Sequence, residues 1–342
     1  MTTLLERSEA VELDAPRWDL SPSVSRVASI DRALRRRLAE SLAYLADVAS
    51  SDDCHRPALA TIEKSLKAGP VSPWVFCHYS KLVAELSKDP RGDASDSFND
   101  IARAAALPAE EGVVAFGGPA APPSWWDHFR LLFDTDRQRP FKPQVPLEED
   151  FACCRRELEA ALAILKSGDT AWYDEVRSLV RMVVLGAPRS ADSADLFNGA
   201  STFFLWGASL LNANLRRTSI SILDLLVHES SHVLLFGVSA HGGLTTNSGR
   251  ERYDSPVRKD KRPIDGIFHA CFVSTRVHLA MERLVSSGVL TDEGVKIARD
   301  RQEYNGSAAL AALDLLECHA KPTAQGDKIL DTIRTYWARA RS

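Results

Sequence analysis

The chain has 342 residues, enough for two average domains or one large one, so it can bury a sizeable core. With 26% charged and 45% hydrophobic residues it has the composition of a folded globular protein, which excludes disordered and fibrous classes. Lys plus Arg number 42 against 46 for Asp plus Glu, and a net charge of −4 lacks the broad positive field on which nucleic-acid binders rely.

In chain order, residues 1–24 are polar, carry Pro16 and Pro22, and mix acids with bases without an apolar h-region. They read as a flexible arm and not as a secretory signal, which points to the cytoplasm. From residue 26 to 50, Val27, Ile30, Leu34, Leu38, Leu42 and Leu45 recur at three- and four-residue spacings, the period of an amphipathic helix. Residues 74–86 and 98–107 repeat the pattern less regularly, so 25–110 is expected to be a helical region. Between 111 and 148, Gly117, Gly118, Pro119, Pro122, Pro123, Pro140, Pro143 and Pro146 interrupt any regular element, the signature of a crossover or linker.

Residues 148–165 read as a helix, and 181–185 and 202–210 as short strands of a small sheet. A helix over 218–236, a charged and glycine-rich loop over 237–263, and helices over 264–286, 292–318 and 326–339 complete the chain. The expected fold is an α-rich α+β, with a helical N-terminal region and a metal-binding region, 149–342, built from the sheet and the long helices. The longest uncharged stretch, 196–215, carries Asn198, Gly199, Ser201, Thr202, Asn212 and Asn214 and is too polar to span a membrane. Six cysteines without a CxxC pair are expected to be reduced core thiols.

The informative string is His228-Glu229-Ser230-Ser231-His232, an HExxH motif inside a helical stretch. Positions i and i+4 stack on one helix face, so both imidazoles can reach one metal ion. Histidines in so apolar a helix also need partners, because unpaired buried polar groups are costly. A third ligand is expected from elsewhere in the chain. His269, in the apolar stretch that follows Pro263 and Gly266, is the first choice and His241 the next. His278 lies off the His269 face and reads as structural. Asp224 and Asp265 each stand four residues before a histidine and can approach its ring N–H from behind. Glu229 is either the general base of a hydrolase or a directing group for other chemistry.

Six cations, Arg250, Arg252, Arg258, Lys259, Lys261 and Arg262, face three acids in the loop that follows, a candidate landing site for an acidic ligand. Arg276 lies seven residues after His269 on the same face of an apolar helix. Two turns are about 10 Å, a reach suited to gripping the far carboxylate of a small dicarboxylate bound at the metal.

The combination of this HExxH helix with Arg262-Pro263-Ile264-Asp265-Gly266-Ile267-Phe268-His269 and Arg276 resembles the HExxH-motif peptide-modification proteins. These are encoded with ribosomally made, post-translationally modified peptides and are described as iron(II)- and 2-oxoglutarate-dependent peptide β-hydroxylases. The resemblance covers residues 202–284, about a quarter of the chain. It implies that His228, His232 and His269 hold Fe(II), that Arg276 or Arg262 anchors 2-oxoglutarate, and that O2 and a precursor peptide are the other substrates. Three histidines depart from the common two-His-one-carboxylate iron triad, which leaves Glu229 or Asp265 as an alternative third ligand.

Two other classes compete. A zinc metallopeptidase would use Glu229 as general base, although Leu235 and Val238 stand where the extended HExxHxxGxxH motif needs Gly and His. A non-enzymatic peptide-binding maturation protein would keep a structural metal. Neither a nucleic acid nor a membrane is expected as a partner. The N-terminal helices carry no motif, and peptide docking is the role considered for them.

Overall fold

The structure, a computed structural model, describes residues 19–49, 55–133, 142–188, 197–215, 217–240, 242–257 and 260–341. Most of the arm expected over 1–24, and Cys54, His241, Arg258 and Lys259, lie outside the described residues.

Helix α1 (Val24–Val48) begins where the Ser23 hydroxyl accepts a hydrogen bond from the Arg26 amide, and it buries Val27, Ile30, Leu38 and Leu42 as a stripe. Helices α2 (Arg56–Ala68), α3 (Pro73–Lys88) and α4 (Ser95–Ala105) follow. α2 escapes the apolar pattern because it buries only Ala58, Ile62 and Leu66.

The expectation of an irregular crossover over 111–148 is corrected by a strand and a helix within it: β1 (Gly112–Ala115) and α5 (Pro123–Phe133). Pro123 opens α5, where its missing N–H has no helical acceptor to lose. Behind it Trp125, Trp126 and Phe129 enter the core. Helices α6 (Glu148–Gly168) and α7 (Thr170–Leu179) are separated by Asp169 alone, which ends one and accepts the Trp172 amide as the N-cap of the other.

Strands β2 (Met182–Gly186), β3 (Gly199–Ala200) and β4 (Ala208–Asn212) complete a four-stranded sheet of order β1-β2-β4-β3. β1, β2 and β4 run parallel, with Val184 opposite Leu210, and β3 adds an antiparallel edge with Gly199 opposite Leu211. β2 and β4 are buried along their whole length, as parallel strands between helices are. The strand expected over 202–210 starts late. Residues 202–207 turn first, and Gly207 enters β4 with φ +96, where a Cβ would meet the Arg181 guanidinium at 2.8 Å. Helices α8 (Ser219–Ser239), α9 (Ile264–Ser286), α10 (Asp292–His319) and α11 (Ala324–Ala340) follow, close to the ranges their periodicity indicates.

A single apolar core runs from Leu20 to Trp337, so the N-terminal helices and the α8–α11 half are parts of one packing unit, with α1 lying against α7 and α8. Inside it sits an ionic cluster. Glu175 takes both Arg26, at 3.0 Å, and Arg276, while Asp31 takes Arg35 at 2.8 Å, Arg181 at 3.4 Å and the Trp206 indole N–H at 2.9 Å. Cys77, Cys154 and Cys271 are buried thiols as expected, whereas Cys318 is exposed. Among the described residues α8 is the one helix long and apolar enough to cross a membrane, and 72% of that stretch is buried inside the fold, which makes it a core helix.

Candidate metal centre

α8 starts at Thr218, whose hydroxyl accepts the Ser221 amide, and is apolar on nearly every side. Its buried positions leave one half-open stripe: Ser221, Asp224, His228, His232, Phe236 and Ser239. That stripe follows the i, i+4 row of the helix, so the HExxH histidines share the only face on which a ligand could reach them.

His228 Nε2 and His232 Nε2 stand 3.2 Å apart. Two nitrogens bound to one ion at about 2.1 Å each, at the tetrahedral angle, would be roughly 3.4 Å apart, so the pair is already at ligand spacing. His269, from α9, comes to the other side of the same ring, with its Nδ1 3.1 Å from His232 Nδ1. Its ring stacks on His232 with centroids 5.4 Å apart and 19° between planes. Burial lowers the His269 pKa to about 4, which keeps the ring neutral near pH 7, the form that can accept a hydrogen bond or bind a metal.

The structure therefore brings the three expected ligands into one row with His232 in the middle. The row does not converge on one point. His232 offers one nitrogen to each neighbour, and among the described residues no group of three His, Cys, Asp or Glu side chains encloses a cation position. A bond between two Nδ1 atoms needs one N–H and one lone pair. If His232 donates it, His232 Nε2 keeps its lone pair on the side that faces His228.

Glu229 turns away from this row. Its side chain is 3% exposed and accepts the Ser201 hydroxyl at 2.7 Å, and its other carboxylate oxygen lies where a Cβ on Gly199 would meet it at 2.6 Å. Only glycine at 199 lets the edge strand close over the acid.

Each of the two aspartates has a partner outside the histidine row. Asp224 accepts the Asn305 amide at 3.1 Å and lies 4.0 Å from Arg301, both on α10, and burial raises its pKa to about 6. Asp265 is exposed and holds the Thr245 hydroxyl. His269 takes His232 as its partner instead.

Arg276 requires the largest correction. It is 0% exposed, with Nε donating to Ser231 Oγ at 3.0 Å, Nη1 to the Leu20 carbonyl at 2.8 Å, and Nη2 to Glu175, while the guanidinium lies 4.5 Å over the Trp172 ring. Its charge is satisfied inside the fold, so it is a core cation and not an anchor for an incoming carboxylate. Arg262 is half-buried with Asp260 at 2.9 Å, and its backbone pairs with Tyr253. Arg258, the third candidate anchor, lies outside the described residues. His278 is structural as expected, with Nδ1 2.6 Å from the Tyr336 hydroxyl.

Sequence reasoning missed two neighbours. Phe236, four residues after His232, packs on His269 at 4.9 Å and on His232 at 6.1 Å, and its spacing could have revealed it. Ser201 carries no sequence signal, since it reaches Glu229 only through the pairing of the edge strand. A cavity of about 690 Å³ lies between α1 and α7 beside Arg32, Arg35, Arg177 and Arg181, and none of the three histidines lines it. The sequence matches no protein-family model and no curated protein.

Proposed function

We propose that the chain is a metal-dependent enzyme acting on a peptide, and within that class an iron(II)- and 2-oxoglutarate-dependent dioxygenase that hydroxylates the β-carbon of a side chain in a ribosomally made precursor peptide. The observation that carries the metal is the 3.2 Å approach of His228 Nε2 to His232 Nε2 on the one open face of α8. In this reading His228 and His232 hold the ion, and His269 either joins them or fixes the His232 ring from behind. The donor chemistry suits Fe(II) and Zn(II) alike, both being bound by neutral imidazole.

Glu229 supports oxygenation over hydrolysis. A metallohydrolase needs its carboxylate free to take a proton from water, whereas this one is buried and committed to Ser201. Bound iron would supply the sites at which 2-oxoglutarate and O2 react. The chain's own contribution is to aim and shield. Phe236 walls one side of the row, Glu229 and Ser201 clamp α8 to the sheet edge, and the co-substrate's far carboxylate falls to Arg262 or Arg258 now that Arg276 is spoken for by Glu175. The reading places the protein in the cytoplasm, with the precursor peptide as partner.

Anaerobic addition of 2-oxoglutarate to the Fe(II)-loaded protein tests it. A visible charge-transfer band is expected, lost in His232→Ala and demanding more 2-oxoglutarate in Arg262→Ala. Absence of the band in folded, iron-loaded protein overturns the dioxygenase, and peptide cleavage abolished by Glu229→Gln would put the zinc hydrolase in its place.

A further inference from the structure

The turn that enters β4 makes an unusual choice of which side chains to bury. Across residues 203–206, Leu205 and Trp206 go into the core at 0% and 4% exposure, and the Trp206 indole is fixed to Asp31. Phe203 and Phe204 are left facing solvent at 50% and 51%. Among the described residues they are the exposed phenylalanines, and they are not scattered. Phe204 meets Phe203 edge to face with centroids 5.8 Å apart, and Phe203 meets Phe236 the same way at 6.3 Å. Phe236 in turn lies on His232 and His269. An unbroken aromatic strip thus runs from solvent to the histidine row.

Single exposed apolar residues need no explanation, but a contiguous patch that ends at a polar cluster marks a binding surface. Edge-to-face packing leaves ring faces open for another aromatic or aliphatic group. We propose that Phe203, Phe204 and Phe236 form a subsite that seats an apolar, preferably aromatic, side chain of the peptide beside the residue presented to the histidines. This rests on the reading of the histidine row as the reaction centre for a peptide. The strip fixes the class of peptide: one with an aromatic or large aliphatic residue next to its reacting position.

The probes are two blocked pentapeptides, Gly-Gly-Phe-Gly-Gly and Gly-Gly-Ser-Gly-Gly, titrated into the full chain and followed by saturation-transfer NMR, first metal-free and then with Co(II) added. The Phe peptide is expected to bind about ten-fold tighter than the Ser peptide, a preference abolished in Phe203→Ser/Phe204→Ser. Both replaced side chains are half in water, and far-UV circular dichroism confirms that the double variant is folded. Equal binding of the two peptides, or a preference that survives the double variant, overturns the subsite. So does light scattering that shows a dimer split by the double variant and indifferent to the Phe peptide, because the strip would then be covered by a second copy. If the preference holds but Co(II) does not broaden the Phe resonances, the subsite stands and the metal reading fails.

Discussion

Two polar clusters lie one residue apart on α8. Ser231 belongs to the ionic cluster around Arg276 and Glu175, and His232 belongs to the histidine row. Both put polar atoms among apolar helices, yet they are built on opposite logic. In the ionic cluster donors meet acceptors: Glu175 receives Arg26 and Arg276, and Leu20 lends a carbonyl. In the histidine row like groups face like, nitrogen to nitrogen, on a half-open face. The first arrangement is closed and can only be structural, because adding a ligand would break bonds already made. The second can be completed by a proton between ring nitrogens or by a cation, which is what a binding site requires. Proximity of charged residues to a motif does not separate the two; the inventory of partners does.

Breaking the closed cluster should have the largest effect. Glu175→Ala leaves Arg26 and Arg276 buried without their carboxylate and should destabilise the fold by about 3–5 kcal/mol, read from urea unfolding. Any metal affinity of the fraction that remains folded should stay unchanged. In the open row the outcome is the reverse. His232→Ala should lower Co(II) affinity by about a hundred-fold or more, since removing even a partner of a ligand costs 10–100-fold, while metal-free stability moves by less than about 1 kcal/mol. A stability loss in that variant as large as in Glu175→Ala would erase the distinction and make the row structural.

His78 sharpens the contrast, because it is neither paired nor open. It is buried against Trp125 at 4.2 Å between ring centroids, neither ring nitrogen has a hydrogen-bond partner, and burial lowers its pKa to about 3. The unfolded chain takes up a proton near pH 6.5 and the folded one resists until about 3, so stability is lost as pH falls through that window. Between pH 7 and pH 5 the loss owed to this residue should be about 2 kcal/mol. Unfolding curves of His78→Phe should lack that part of the decline. The smallest effect belongs to Asp265→Ala, which removes an exposed bond to Thr245. It should cost under about 0.5 kcal/mol and leave Co(II) affinity unaltered, whereas a ten-fold weaker affinity would restore Asp265 as the partner of His269.

The long helices from α8 to α11 were legible because each carries apolar residues over more than four turns, and the HExxH face was legible because its spacing lies within one helix. His269 reached His232 as the reading required. What failed was pairing across the fold. Arg276 sits on the expected helix, but its partner Glu175 is about a hundred residues away and nothing in the sequence around Arg276 announces it. The i, i+4 rule that places Asp224 and Asp265 near the histidines says nothing of the tertiary partners they take, Asn305 and Thr245. α5 was hidden by prolines that open a helix as readily as they end one, and α7 by a single-residue break.

The bond from Arg276 to the Leu20 carbonyl joins residues 256 apart in the chain, and this bears on the order of assembly. α9 and α10 follow one another directly and pack extensively, so they can dock as soon as both exist. The guanidinium that braces α8 through Ser231 has its full set of acceptors only after the chain's beginning has returned to meet its last third. Closing so long a loop adds little to the equilibrium cost, which grows with the logarithm of length, but it sets when the bond can form. That brace on α8 is therefore completed late, and a chain that lacks its first twenty residues carries Arg276 without one of its acceptors.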